Sequence, residues 1–140
     1  MSDLSLDISH HMPYPPERVF DAWLDPEMLM KFMLPGPGMS VPEASSDAKV
    51  GGRFRIIMRA PEAGDLPHEG EYLEIDRPNR LRFTWVSPYS QDDSTVTLEF
   101  SARDGGTDVR LHHVRFPSEE SRDNHQGGWT MILQALEAAL

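Results

Sequence analysis

The chain has 140 residues, a formal net charge of −10 and no Cys, which fits one domain over residues 1–140 and excludes disulfides, thiolate metal sites and thiol nucleophiles. The acidic balance argues against nucleic acid and anionic membranes as partners, because both bind basic surfaces. No run approaches the roughly 20 apolar residues that span a bilayer, and the N-terminal residues lack the basic and apolar regions of a secretory signal, so we expect a soluble cytoplasmic protein.

The N-terminal part of the chain predicts one strand and two short helices. Residues 3–12 alternate between apolar and polar side chains, which is typical of a half-buried strand. Pro16 suits the first turn of a helix, where its missing N–H is not needed, and apolar residues follow it at helical spacing. Asp25 fits the N-cap of a second helix that has Pro26 at its first position. The Pro- and Gly-rich residues 35–38 predict a loop.

From residue 39 onward the apolar residues recur with a period of two. This period predicts strands over residues 39–47, 52–60, 67–76, 80–87, 94–103 and 107–116. The turns between them, among them one at 89–93, are short, so we expect an antiparallel meander. Apolar side chains alternate with Arg53, Arg55, Arg59 and Arg82, and we interpret these arginines as a solvated, salt-bridged outer face rather than an anion site.

The strand at 67–76 allows two orientations. If Tyr72 points inward, the two glutamates at positions 69 and 71 point outward and can oppose the arginines across strands. If Leu73 and Ile75 point inward, Tyr72 lies outside. A β-bulge would satisfy both patterns. We favour Tyr72 inward.

Residues 118–140 predict a long amphipathic helix. Ser118 fits its N-cap, and an apolar stripe follows at Trp129, Ile132, Leu133, Leu136 and Leu140. Gly128 faces the sheet without a side chain, which indicates either space for a ligand or, as we favour, a close helix–sheet approach or a bend. One helix cannot fill the concave face of seven strands, so the element order predicts an α+β fold with a cavity.

Several segments resemble one known group of proteins. Residues 15–23 resemble the opening helix of the START-like, or SRPBCC, superfamily, which includes the birch pollen allergen. Three further pieces of the sequence resemble the branch named after the activator of the heat-shock chaperone ATPase. They are residues 50–54, residues 70–75 with 81–85, and residues 125–129 with His113, Phe116 and Pro117. Together these segments extend over nearly the whole chain.

The resemblance implies a helix-grip fold, in which a seven-stranded curved antiparallel sheet wraps around a long C-terminal helix and two short helices follow the first strand. It also implies a hydrophobic cavity between the sheet and the last helix. Members of the superfamily bind lipids, hormones and polyketides, and some catalyse cyclisation or dehydration. We expect this chain to lack the separate chaperone-binding domain of the eukaryotic cochaperone, which argues against a chaperone partner.

Large apolar side chains are the first candidates for the interior of the fold. Seven of them are predicted to line it: Trp23, Phe32, Phe54, Met58, Phe83, Trp85 and Trp129. At these spacings such residues belong to a core more often than they contact a ligand. The prediction of a cavity therefore depends on the architecture rather than on these residues.

Two histidine pairs, His10–His11 and His112–His113, resemble metal-binding pairs. Adjacent residues of a strand point to opposite faces, so neither pair can chelate by itself. The resemblance places the first and last strands side by side, which would allow one histidine from each pair to meet across strands. Structural histidines are far commoner than such ligands, so we predict no metal.

Polar groups inside the cavity are the remaining candidates. His68, His113 and His125 could bond to a ligand carboxylate or hydroxyl, or act as a general acid or base, although bonding to backbone carbonyls is the commoner role. An inward Tyr72 also turns Glu74 inward, where a carboxylate would have a raised pKa or a paired partner, although a solvated position near the strand end is favoured.

We therefore predict binding of a small hydrophobic or amphipathic molecule in the cavity, with no cofactor and no assigned catalytic residue. The alternatives are an acid–base enzyme of the cyclase or dehydratase kind in the same cavity, and a cochaperone-like interaction domain. Outward Leu73 and Ile75 would form an apolar patch that a homodimer could use.

Overall fold

The computed structural model describes residues 4–87 and 94–140, in which seven strands and three helices form. In chain order these are β1 (Ser5–Met12), α1 (Pro16–Ala22), α2 (Pro26–Phe32), β2 (Ser40–Ser46), β3 (Arg53–Ala60), β4 (Gly64–Asp76), β5 (Arg80–Thr84), β6 (Thr95–Arg103), β7 (Gly106–Val114) and α3 (Glu119–Ala139). Every neighbouring pair of strands is antiparallel, in the order β1-β7-β6-β5-β4-β3-β2. The predicted α+β helix-grip fold is confirmed, with β1 beside β7.

Most element boundaries lie within about two residues of the predicted ones, and two strands differ by more. β4 begins at Gly64 rather than at residue 67, because Gly64 adopts a φ of +77° and makes the β3–β4 turn tighter than predicted. β5 ends at Thr84, after which Val86 forms only an isolated bridge to Glu69. The turn predicted at 89–93 lies outside the described residues.

Capping residues start the second and third helices as the sequence predicts. The Asp25 carboxylate accepts a hydrogen bond from the backbone N–H of Glu27 at 2.9 Å, and Pro26 follows at the first position of α2. The Ser118 hydroxyl accepts one from the N–H of Ser121 at 3.1 Å and caps α3. Local chemistry therefore decides where these helices begin.

The two faces of the sheet differ in polarity as expected. The inner face is apolar and buried, with Phe54, Ile56 and Met58 on β3, Leu81 and Phe83 on β5, and Val96, Leu98 and Phe100 on β6. On the outer face Arg53 lies 3.9 Å from Glu71, and Arg55 lies 3.4 Å from Glu69. These pairs are half-exposed, so they form a solvated coat that adds little to stability.

A bulge in β4 resolves the two orientations that its sequence allows. Tyr72 pairs with Phe83 and Ile75 pairs with Leu81, while the register shifts between Tyr72 and Glu74. The extra residue reverses the alternation, so Tyr72 and Ile75 both face the core. Tyr72 is 2 % exposed, and its hydroxyl lies 2.7 Å from the Ser46 hydroxyl. The prediction that Tyr72 points inward is confirmed.

The same bulge corrects two other predictions. Glu74 does not accompany Tyr72 inward but lies opposite Arg82 on the outer face, with its carboxylate 3.3 Å from the Arg80 guanidinium. The apolar outer patch also disappears, because Ile75 packs against the core and only Leu73 stays exposed. The basis for expecting a homodimer is therefore removed.

α3 completes the core on the inner side of the sheet. Its residues Trp129, Ile132, Leu133 and Leu136 are buried in the same cluster as the inward side chains of the strands. Leu140, the last residue of the predicted stripe, is half-buried. Within residues 4–87 and 94–140, no helix is both long and apolar enough to cross a membrane.

Candidate ligand-binding cleft

Three tryptophans cross the interior between the sheet and α3. The ring centres of Trp85 and Trp129 are 4.9 Å apart, and those of Trp23 and Trp129 are 6.3 Å apart. Each is 2 % exposed. Trp23 lines a small internal void, Trp129 lines a larger cleft, and Trp85 lines both. These rings therefore separate a packed core from an open space.

The small void belongs to the core. Its volume is about 10 Å³, and a single water needs at least about 10–15 Å³. It is lined by Trp23, Leu29, Met33, Phe54, Ile56, Tyr72, Phe83 and Trp85. These side chains pack ring against ring, as where Phe54 meets Phe83 at 5.3 Å. No ligand-sized space remains among them.

The cleft lies on the other side of Trp85 and Trp129. It has a volume of about 450 Å³, within the range of about 300–1,000 Å³ typical of small-molecule sites. Its buried wall consists of Met58, His68, Trp85, Trp129 and Ile132. Its more exposed wall and rim consist of Pro35, Met39, Ala60, Leu66, Ser118, Glu120, Ser121, Asn124, His125 and Gly128.

The structure brings together only part of the predicted site. Met58, His68, Trp85, His125 and Trp129 line the cleft. The other predicted residues lie elsewhere: Trp23, Phe54, Tyr72 and Phe83 around the small void, Phe32 against Trp23 at 5.0 Å, His113 behind Trp129, and Glu74 on the outer face. Dense packing or orientation keeps these seven residues out of the cleft.

Some of the missed lining residues carried a signal in the sequence. Ala60 shares the parity of Met58 on β3, and Ser121 lies one helical turn before His125. The loop residues Pro35 and Met39 carried none, because only the packing of distant elements places them at the cleft.

Gly128 marks a close approach, but to a loop rather than to the sheet. A Cβ atom built on Gly128 would lie 3.1 Å from the Cβ of Pro35. Gly128 also lines the cleft. The two interpretations of this glycine are therefore compatible, since the missing side chain admits the loop and leaves the wall flat.

His113 is a structural residue held in one neutral tautomer. The indole N–H of Trp129 donates to His113 Nδ1 at 3.0 Å, and because an indole nitrogen can only donate, Nδ1 carries no proton. The proton therefore lies on Nε2, which donates to the Ser94 hydroxyl at 2.5 Å. Burial, together with smaller effects of charge on His125 and His112, lowers the pKa of His113 from 6.5 to about 3.

His68 and His125 present the opposite nitrogen. His68 Nδ1 donates to the carbonyl of Leu66 at 3.0 Å, and His125 Nδ1 donates to the carbonyl of Ser121 at 2.7 Å. Each Nε2 is therefore an unprotonated acceptor, with no hydrogen-bond partner among the residues that the structure describes. Burial lowers the pKa of His68 to about 4 and lowers that of His125, so both rings are neutral at pH 7.

The histidine pairs do not meet. His10 bonds to Glu137 at 2.8 Å, His11 to Asp108 at 2.7 Å and His112 to Asp7 at 3.0 Å. Over the described ranges, no group of three or more His, Asp or Glu side chains is arranged to hold a metal ion. These histidines instead join the charged network of the surface.

Comparison with known proteins identifies similar structures. A protein from Chromobacterium violaceum has a TM-score of 0.86 and 28% identity, covering 96% of each chain. An AHSA1-like protein from Aeromonas hydrophila has a TM-score of 0.83 and 25% identity, covering 97% of this chain and 91% of its own. An Hsp90 activator from Plasmodium falciparum has a TM-score of 0.74 and 28% identity, covering 96% of this chain and 94% of its own.

A search of curated proteins gave no significant match. The sequence profile of one family, described as Activator of Hsp90 ATPase homolog 1-like protein, matches residues 13–140. The match includes all three helices, β2 to β7 and every residue of the cleft. The predicted resemblance is confirmed, and the chain belongs to the family of Activator of Hsp90 ATPase homolog 1-like proteins.

Proposed function

We propose that the protein binds a small hydrophobic or amphipathic molecule in the cleft and does not transform it. The observation that carries this proposal is the space of about 450 Å³ beside the paired rings of Trp85 and Trp129. The void on the other side of Trp85 has a volume of only about 10 Å³, the size of one water, so the cleft is far larger than the gaps left by the packing around it. Its buried wall is mainly apolar, as in most small-molecule sites.

The ionisable groups of the cleft favour binding over catalysis. Those among the described lining residues are His68, His125 and Glu120. A general base works best when its pKa is near the working pH, whereas the pKa of His68 is about 4. Glu120 is exposed at the rim, away from the buried wall. This set lacks a nucleophile paired with a base.

A fluorescent probe with matched variants tests the proposal. N-phenyl-1-naphthylamine is neutral and brightens in apolar surroundings, so we expect saturable binding to the purified protein. Ala60→Trp places an indole in the cleft, because Ala60 lines it, and should weaken binding at least about tenfold, or 1.4 kcal/mol. Ala63→Trp adds the same ring in the exposed β3–β4 turn and serves as the control.

Two results would contradict the proposal. Equal binding by the Ala60→Trp and Ala63→Trp variants, both with normal melting curves, would place the probe outside the cleft. If mass spectrometry shows that a molecule bound by the protein is chemically changed after incubation, the protein is an enzyme instead.

Activation of a chaperone ATPase is the second candidate, since one structural relative is an Hsp90 activator with 28% identity to this chain. The experiment is to measure Hsp90 ATPase turnover with and without the protein. Stimulation that persists in the Ala60→Trp variant would assign this role to a surface other than the cleft. Absence of stimulation at saturating protein would remove this candidate.

A further inference from the structure

The two histidines on the cleft wall present hydrogen-bond acceptors, whereas the donors of the lining are the Trp85 indole, the Asn124 amide and the hydroxyls of Ser118 and Ser121. His68 on β4 and His125 on α3 approach the cleft from the two layers of the fold, and both use Nδ1–H to hold a backbone carbonyl. Their Nε2 atoms carry lone pairs with no partner among the residues described. The two rings are close enough for the charge of His125 to lower the pKa of His68.

The cleft offers no cation to compensate a ligand anion. None of its lining residues in the described part of the chain is Lys or Arg. Glu120 adds a carboxylate at the rim, and the whole chain has a net charge of −10. A ligand carboxylate placed against the histidines would lose its water and face two lone pairs, and no positive charge among the described lining residues would compensate it, which is unfavourable.

We infer that the cleft selects neutral ligands that carry a hydroxyl donor, such as an alcohol or a phenol on an apolar body, over carboxylates and ethers of the same shape. This inference rests on the proposed function, because it names the ligand class of the same site. The hydroxyl donates to Nε2 of His68 or His125, and the apolar body lies along Met58, Trp85 and Trp129. An ether of equal shape leaves those acceptors unpaired.

Three probes of matched shape test this selection. We would measure the Kd of 2-naphthol, 2-methoxynaphthalene and 2-naphthoate by calorimetry at pH 7, where the naphthol is neutral and the naphthoate is ionised. We expect the naphthol to bind about tenfold more tightly than the ether, which is the worth of one hydrogen bond. The naphthoate should bind no better than the ether.

Variants of the two histidines assign the acceptor. Phe keeps the approximate shape of the ring but accepts no hydrogen bond. At the histidine that accepts from the naphthol, His68→Phe or His125→Phe should therefore reduce the ratio of the ether Kd to the naphthol Kd to about one, while the ether binds as before. His112→Phe is the control, because His112 lies on the outer face beside Asp7. If the melting curve of a variant shows that it does not fold, the order of the three Kd values on the native protein still tests the selection for a hydroxyl donor.

The outcomes separate this inference from the proposed function. Binding of the ether or the naphthoate as tightly as the naphthol would overturn the donor selection and leave the cleft a binding site. A naphthol preference that survives both Phe variants would also overturn it. Failure of all three probes would overturn the selection, and the proposed function would fall with it if the naphthylamine probe also does not bind.

Discussion

Acidification should destabilise this protein above the pH at which its carboxylates are neutralised. His68 and His113 are buried as neutral rings, with pKa values of about 4 and about 3 against 6.5 for a free histidine. Because the folded pKa lies below the unfolded one, the unfolded chain takes up the extra proton as the pH falls. The stability from these groups is therefore full above about pH 6.5 and is lost progressively toward pH 3.

The size of this effect follows from the two shifts. Between pH 7 and pH 5 each ring stays neutral in the folded protein while the unfolded chain becomes protonated, so each removes about 2 kcal/mol of unfolding free energy, and the pair about 4 kcal/mol. The pKa values of Asp21, Asp65 and Asp108 are lowered by their ion pairs, so they act mainly below about pH 4. The histidines therefore dominate this window.

Urea denaturation followed by tryptophan fluorescence at several pH values measures the effect. His113→Gln can still accept from Trp129 or donate to Ser94 but does not titrate. It should lower stability at pH 7 and reduce the slope between pH 5 and 6 by about 1.4 kcal/mol per pH unit. Trp129→Phe removes one hydrogen bond but leaves the His113 imidazole in place. This variant should therefore have a lower unfolding free energy, with the same dependence on pH between pH 5 and 6 as the native protein. Equal slopes for the native protein and His113→Gln would refute the reasoning.

Four further substitutions test the local structure by denaturation, and one of them also by probe binding. Gly127→Ala should raise the unfolding free energy by about 0.5–1 kcal/mol, because its Cβ meets open space within α3. Gly128→Ala should raise it less or lower it, because its Cβ presses on Pro35. Equal gains in the two variants would contradict the close approach of Gly128 to Pro35. Ser118→Ala should remove about 1 kcal/mol through loss of the α3 cap, and an unchanged midpoint would contradict that role. Glu74→Gln should change stability and probe binding by less than about 0.5 kcal/mol, since its pair with Arg80 is exposed; weaker probe binding would instead place this carboxylate at the cleft.

Much of the fold was predictable because its signals are local. The alternation of residues 53–59 sorts Phe54 and Met58 from the arginines without reference to any other strand. The caps at Asp25 and Ser118 likewise depend only on one side chain and a backbone N–H a few residues away. Such signals survive in an isolated sequence, so the element order and the apolar face of each element could be predicted.

The candidate site was predictable only in part. Met58, His68, Trp85, His125 and Trp129 were expected inside and do line the cleft. The same reasoning could not separate them from the core aromatics, because inward orientation alone does not tell a packed side chain from one beside a void. That difference depends on how α3 and the α2–β2 loop lie over the sheet.

The sequence by itself determined the order of the elements, their inward faces, the lack of thiol chemistry and the acidic outer coat. Only the tertiary structure decided that Glu74 faces outward, that three tryptophans divide the interior, and that the free nitrogens of His68 and His125 are acceptors. The reason is physical: a one-residue bulge reverses the alternation of a strand, and packing between distant elements decides where space remains. The protonation site of a buried histidine likewise follows from partners that only the fold brings together.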